Sequence, residues 1–139
     1  MSVHTKRADC KLELDNAAIA AAFPWSAPGL RVADGCILTE LGIPFIDFVS
    51  QPHHSSQTIC VAVQAVFRCL KTLHADGFRH NDARPANFVV YRRLVGGGST
   101  FVDDTMRVHT VALIDWETLY VPPRCCTPAL ILAFDRLAL

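Results

Sequence analysis

Twenty residues, Ser56 to Ala75, restrict what this chain can fold into more than any other stretch. Within them Ile59, Val63, Val66, Leu70 and Leu73 recur at alternating spacings of four and three, which draws one apolar stripe along a helix. Ser55 or Ser56 caps the start, and Gly77 stands where a left-handed terminating residue is wanted. The next apolar segment has the opposite character. Phe88-Val89-Val90-Tyr91 is aromatic and β-branched, hence a strand. A long helix that passes through a polar loop into a strand excludes an all-α or all-β domain. Residues 108–114 read as a second strand, and Gly96-Gly97-Gly98-Ser99 as a flexible linker that protrudes from the hairpin between the two.

Upstream, residues 35–40 read as a strand, followed by the turn-prone Leu41-Gly42 and Pro44. Phe45, Ile46, Phe48 and Val49 form a short amphipathic helix closed off by Pro52. Residues 1–29 carry the weakest signal: Leu12, Leu14, Ala17, Ala18, Ile19 and Ala22 line a short helix that ends before Pro24, because proline disfavours a helical residue ahead of it. Pro24, Pro28 and Gly29 then mark a loop. At the other end Pro122-Pro123, Cys125-Cys126 and Pro128 break the chain before an apolar run over residues 129–139. The order predicts one α+β domain across the 139 residues.

Apolar residues make up 51% and charged residues 19%, which places the chain among globular proteins. Lys+Arg and Asp+Glu stand at 13 each, so no basic stripe argues for nucleic acid or for a membrane surface. A neutral, apolar-rich domain is expected either to be poorly soluble alone or to carry an exposed surface that a protein partner covers. The six cysteines contain no C-x-x-C pair, and the adjacent His53-His54 and Cys125-Cys126 are poor chelates for zinc. Free thiols without a disulfide framework fit a reducing compartment, cytoplasm or nucleus. Met1 is followed by Ser2, His4, Lys6, Arg7 and Asp9 rather than by an apolar signal core, and the apolar residues 17–23 are too few to span a bilayer. A soluble chain is expected.

The chemistry concentrates in His80-Asn81-Asp82-Ala83-Arg84-Pro85-Ala86-Asn87 and in Leu113-Ile114-Asp115-Trp116. Singly, each of these residues has an ordinary reading. Asp, Asn and Pro are turn formers, and a carboxylate that ends a strand faces water. Jointly, two carboxylates and an amide from a loop and the following hairpin are the equipment for holding a metal-bound phosphate.

These two segments resemble the catalytic loop and the metal-binding aspartate of the protein-kinase-like superfamily. The resemblance covers about residues 30–120 and implies a partial kinase-like fold, mainly the hinge and the N-terminal half of the large lobe. It implies ATP and Mg2+ as cofactors, Asp82 as the base that accepts or orients the proton of the attacking hydroxyl, and Asn87 and Asp115 as metal ligands. By the same resemblance His80 props the loop and Arg84 contacts the transferred phosphate, although a solvated surface cation reads equally well there. The backbone groups of Glu40, Leu41 and Gly42 would hydrogen-bond the adenine ring; an ordinary strand and turn is the even alternative. Asn81 replaces the usual arginine, and Trp116-Glu117 replaces Phe-Gly, a pattern similar to that of small-molecule kinases such as the aminoglycoside and choline phosphotransferases, or of divergent protein kinases. No glycine-rich phosphate loop is readable upstream of residue 37, and Lys6 and Lys11 are left as candidates for the anchoring lysine, neither placed after a Val-Ala-Ile-type strand. The expectation is a truncated or divergent phosphotransferase acting on a Ser/Thr or small-molecule hydroxyl. Its alternative is a non-catalytic pseudokinase, or a fragment that binds nucleotide or protein.

Overall fold

The computed structural model describes residues 3–7 and 11–123 apart from residue 96. Cys10, Cys125, Cys126 and the apolar run 129–139 lie outside the described residues. Helices and antiparallel sheets alternate along the chain, giving the expected α+β class. Strands β1 (Val3–Arg7), β2 (Arg31–Ala33) and β3 (Cys36–Glu40) pair in the order β1-β3-β2, with helix α1 (Lys11–Ala20) between the first two in sequence. The chain continues through β4 (Ile43–Pro44), α2 (Phe45–Val49), α3 (Ser56–Ala75) and a 3-10 turn (Pro85–Asn87). Then come β5 (Phe88–Tyr91), β6 (Ser99–Val102) and β7 (Val108–Leu113), paired in the order β4-β5-β7-β6.

The predicted helices and strands are present with boundaries shifted by one or two residues, and three local readings are corrected. Val3–Arg7, read as unassigned, is a strand that sets Lys6 opposite Ile37. Of the expected protruding glycine linker, the described residues 97–99 lie against the domain. Gly98, in the left-handed region at φ 70°, donates its N–H to the Pro24 carbonyl, and Ser99 already begins β6. Phe101 and Ser99 are buried there while Thr100 and Val102 face out, a clear period of two that the neighbouring glycines mask in the sequence.

The third correction concerns α3. Its buried residues are Thr58, Ala62, Ala65, Cys69 and Leu73; of the expected stripe only Leu73 is among them, Val66 and Leu70 pack against the core in part, and Val63 is 38% exposed. Small side chains let the helix axis approach β6 and β7 closely, so tertiary packing centred the buried face on the alanines. Val63, Val66, Phe67 and Leu70 line an apolar groove with Phe45, Pro85 and Phe88. Both helix ends follow the sequence. Ser55 Oγ accepts from the Thr58 N–H at 3.1 Å. At the C-terminus Gly77 (φ 84°) donates to the His74 carbonyl at 2.9 Å and Phe78 to Leu73 at 3.3 Å, the paired bonds of a Schellman turn.

An aromatic cluster joins the two sheets. Trp25, from the loop after α1, stacks on Phe23 at 5.0 Å and meets Phe78 at 5.4 Å and Trp116 at 5.2 Å. Its indole N–H donates to Asp76 at 3.0 Å. Cys69 lies against the same loop, its thiol 3.7 Å from the Trp25 carbonyl, and burial pushes that thiol up to about 12. Among the described residues no helix is long and apolar enough to cross a membrane.

Candidate functional site

The loop 80–87 is held by its own polar side chains. His80 is 1% exposed; its Nε2 lies 2.8 Å from the Ile114 carbonyl and its Nδ1 accepts from the Asp82 N–H at 3.2 Å. These two bonds require the neutral ring with the proton on Nε2. One imidazole therefore ties the loop to the end of β7, just before Asp115. The segment beyond Asp115 closes over the loop from the other side. Thr118 Oγ1 donates to the His80 carbonyl at 2.7 Å, and Asn81 Nδ2 to the Thr118 carbonyl at 3.0 Å. Arg79 and Tyr120 complete this zipper through an antiparallel bridge.

Within that frame Asn87 is oriented by Asp82. Its Nδ2 donates both to the Asp82 carbonyl at 2.8 Å and to Asp82 Oδ2 at 3.1 Å. With the amide nitrogen fixed on Asp82, Oδ1 is the atom left for another ligand. The Asn87 carbonyl accepts from the Ile114 N–H at 2.9 Å, which sets the amide beside the residue preceding Asp115. Arg84 Nε lies 3.2 Å from Asp82 Oδ1, with the arginine side chain 66% exposed. An exposed pair of this kind contributes about 0–1 kcal/mol and yields readily to a competing ligand.

Asn87 and Asp115 line one cavity of about 140 Å³ together with Glu13, Leu30, Ile37, Thr39, Ile114 and Trp116. Asp115 and Asn81 both adopt left-handed backbone, at φ 66° and 67°, which asparagine and aspartate tolerate better than other non-glycine residues. Trp116, 2% exposed in the aromatic cluster, anchors the turn after Asp115, and Asn16 of α1 donates to its carbonyl at 2.9 Å.

Two acidic residues escaped the sequence reading. Glu13 of α1, Asp115 and Glu117 bring one carboxylate oxygen each within 4.8 Å of one another. That density of negative charge calls for positive charge in or beside it, from a basic side chain or a divalent ion. All the donors are oxygens, a set suited to Mg2+ rather than to zinc. The signal for Glu13 in the sequence is its place one helical turn before Asn16, but only the docking of α1 onto the 115–117 turn gives it meaning.

The hinge residues are placed differently. The Glu40 N–H donates to the Pro28 carbonyl at 3.0 Å, its carbonyl accepts from the Tyr91 hydroxyl at 3.0 Å, and its carboxylate pairs with Arg93. Leu41 is 57% exposed, and Gly42 lies so close to Val89 and Tyr91 that a side chain there would collide with β5. Glu40, Leu41 and Gly42 follow the strand that carries Ile37 and Thr39 into the cavity, but none of the three lines it. No protein-family model matches the chain, and no curated protein is significantly similar to it.

Proposed function

We propose that the chain is a divergent protein-kinase-like domain that transfers the terminal phosphate of ATP to an alcohol, on a protein Ser/Thr or on a small molecule. The observation that supports this reading is that Asn87 and Asp115 line one cavity while Asn87 Nδ2 donates to Asp82, which lies outside the lining. In this reading Asp82 orients the attacking hydroxyl and Arg84 leaves its exposed pair with Asp82 to meet the phosphate. Asn87 Oδ1 and Asp115 hold Mg2+, with Glu13 and Glu117 as further oxygen donors close by. The cation, when bound, neutralises charge on the transferring phosphate. Lys6, whose backbone pairs with Ile37 on β3, and Lys11 are the two candidates for the phosphate-anchoring lysine.

A second reading, a pseudokinase that binds partners without turnover, draws on the size of the cavity. At about 140 Å³ it falls below the ~300–1,000 Å³ typical of sites for ligands of nucleotide size. Catalysis therefore requires the β1–β3 sheet and α1 to move outward as nucleotide enters. Release of γ-phosphate from Mg-ATP by the wild type and by Asp82→Ala separates the two. Loss of one well-placed catalytic group costs about 100–1,000-fold. A drop of that order in Asp82→Ala supports the enzyme, and equal background release from both proteins removes it.

A further inference from the structure

A second cavity, of about 200 Å³, lies at the opposite end of the β5–β7 ladder and shares no lining residue with the first. Asn87 and Ile114 adjoin the Phe88–Leu113 pair at one end; Arg92 and His109 adjoin the Tyr91–Thr110 pair at the other. At a strand rise of ~3.3 Å per residue, about 17 Å separates them. The second cavity is lined by His53, His54, Arg92, Arg107 and His109, and by Ser55 and Thr58 at the N-terminus of α3, the positive end of a twenty-residue helix dipole.

Two carboxylates share these walls. Asp103 is fully engaged. Its Oδ1 accepts from the Thr105 N–H at 2.8 Å, the Thr105 hydroxyl at 2.7 Å and the Arg107 N–H at 3.0 Å, and its Oδ2 lies 2.8 Å from His109 Nε2. Asp104 is exposed. Among the described residues neither Arg92 nor Arg107 forms an ion pair; Arg92 donates to the Gln51 side chain at 3.0 Å. Arg92 and Arg107 formally balance the two carboxylates, but Asp103 is turned onto Thr105, Arg107 N–H and His109, which leaves the arginine side chains available to a ligand. Burial first, and then His53, Arg92 and His109, hold the His54 pKa below the usual histidine value.

His109 supplies the independent observation. The residue is 1% exposed, Asp103 takes its Nε2, and its Nδ1 is buried with no partner among the described residues. A buried polar atom left unpaired is costly, and one on the wall of a cavity points to a ligand that completes it. Hydrogen phosphate does so: its oxygens accept from the arginines and the helix N-terminus, and its own O–H can donate to Nδ1. A cavity of this size also suits a small anion better than a larger ligand.

We propose that this cavity binds a phosphate-class oxyanion, either free phosphate or the phosphoryl group of a small phosphomonoester, between Arg92, Arg107 and His109. The test is titration of the whole chain, at constant ionic strength, with inorganic phosphate, O-phosphoserine and sulfate, following heat and the histidine ring signals by NMR. Expected are saturable binding that shifts the His109 ring, and about tenfold weaker binding in each of Arg92→Gln and Arg107→Gln. Both arginines are exposed, and their variants should melt with the wild type. Asp115→Ala, in the other cavity, should bind phosphate as the wild type does, so the outcome is independent of the kinase reading. Phosphoserine binding tighter than phosphate assigns the site to a phosphomonoester; the reverse assigns it to the free ion. Absence of saturable binding, binding indifferent to both arginine changes, or sulfate binding as tightly as phosphate would overturn the proposal.

Discussion

His80 shows how much one side chain can organise. It is buried, uses both ring nitrogens, and connects the loop carrying Asp82 to the strand end carrying Asp115. Its replacement by alanine leaves a buried carbonyl and an amide without their partner. The expected loss is about 1–3 kcal/mol of stability, read from denaturant unfolding, with Asn at the same position recovering part of it. Asp103 makes a second residue-scale prediction. Hydrogen bonds from His109, Thr105 and Arg107 outweigh the desolvation that opposes them and hold its carboxyl well below the usual carboxylate range. A carboxyl depressed in the folded state stabilises it fully above its unfolded value of about 4, and that contribution drains away as pH falls below this value. Asp103→Asn should therefore be less stable than the wild type at pH 6, with the gap narrowing steadily from pH 4 to pH 2 in thermal melts. At this scale the sequence is legible where a residue acts through its neighbours in the chain. Asp82 and Asn87, five positions apart, share a hydrogen bond that their spacing anticipates. Glu13 and Glu117 acquire a role only when α1 docks about a hundred positions away in sequence, and no local pattern announces that.

At the scale of elements, α3 teaches a different lesson. Periodicity located the helix and its caps but centred the buried face too far round: Leu73 is buried and Val66 and Leu70 pack against the core only in part, because close packing against a sheet rewards small side chains. Ala62 and Ala65, 0% exposed, mark the contact with β6 and β7. Ala65→Leu should overpack it and cost about 1–3 kcal/mol, while Phe67→Gln, at a 65% exposed position, should change stability by less than about 0.5 kcal/mol and improve solubility. The reverse ranking in chemical denaturation would contradict the packing of the alanine face against the sheet. The strand β6 was hidden for a related reason. Its alternation is plain, but the preceding glycines suggest slack chain, and only the bond from Gly98 to Pro24 shows that position to be docked.

The whole molecule is held together by Trp25. This ring, 1% exposed, touches Phe23, Phe78 and Trp116 and so joins the α1 loop, the end of α3 and the turn after Asp115. Trp25→Ala should cost about 3–5 kcal/mol, a large share of the ~5–15 kcal/mol by which an ordinary domain is stable, and should lower the midpoint of thermal unfolding accordingly. In the wild type both tryptophans are buried in the one cluster, so their fluorescence should redden in a single cooperative transition coincident with loss of helix by circular dichroism. Two separate transitions would mean that the sheets fold independently.

The central claim is that Asn87 and Asp115 serve one divalent cation beside Asp82. Paramagnetic broadening by Mn2+ in the presence of ATP tests it most directly, because the effect falls off steeply with distance from the ion. The account predicts that the signals of Asn87 and Asp115 disappear at substoichiometric Mn2+, that those of His109 persist, and that Asp115→Ala abolishes the effect. Broadening centred elsewhere, or none at saturating ATP, would contradict it.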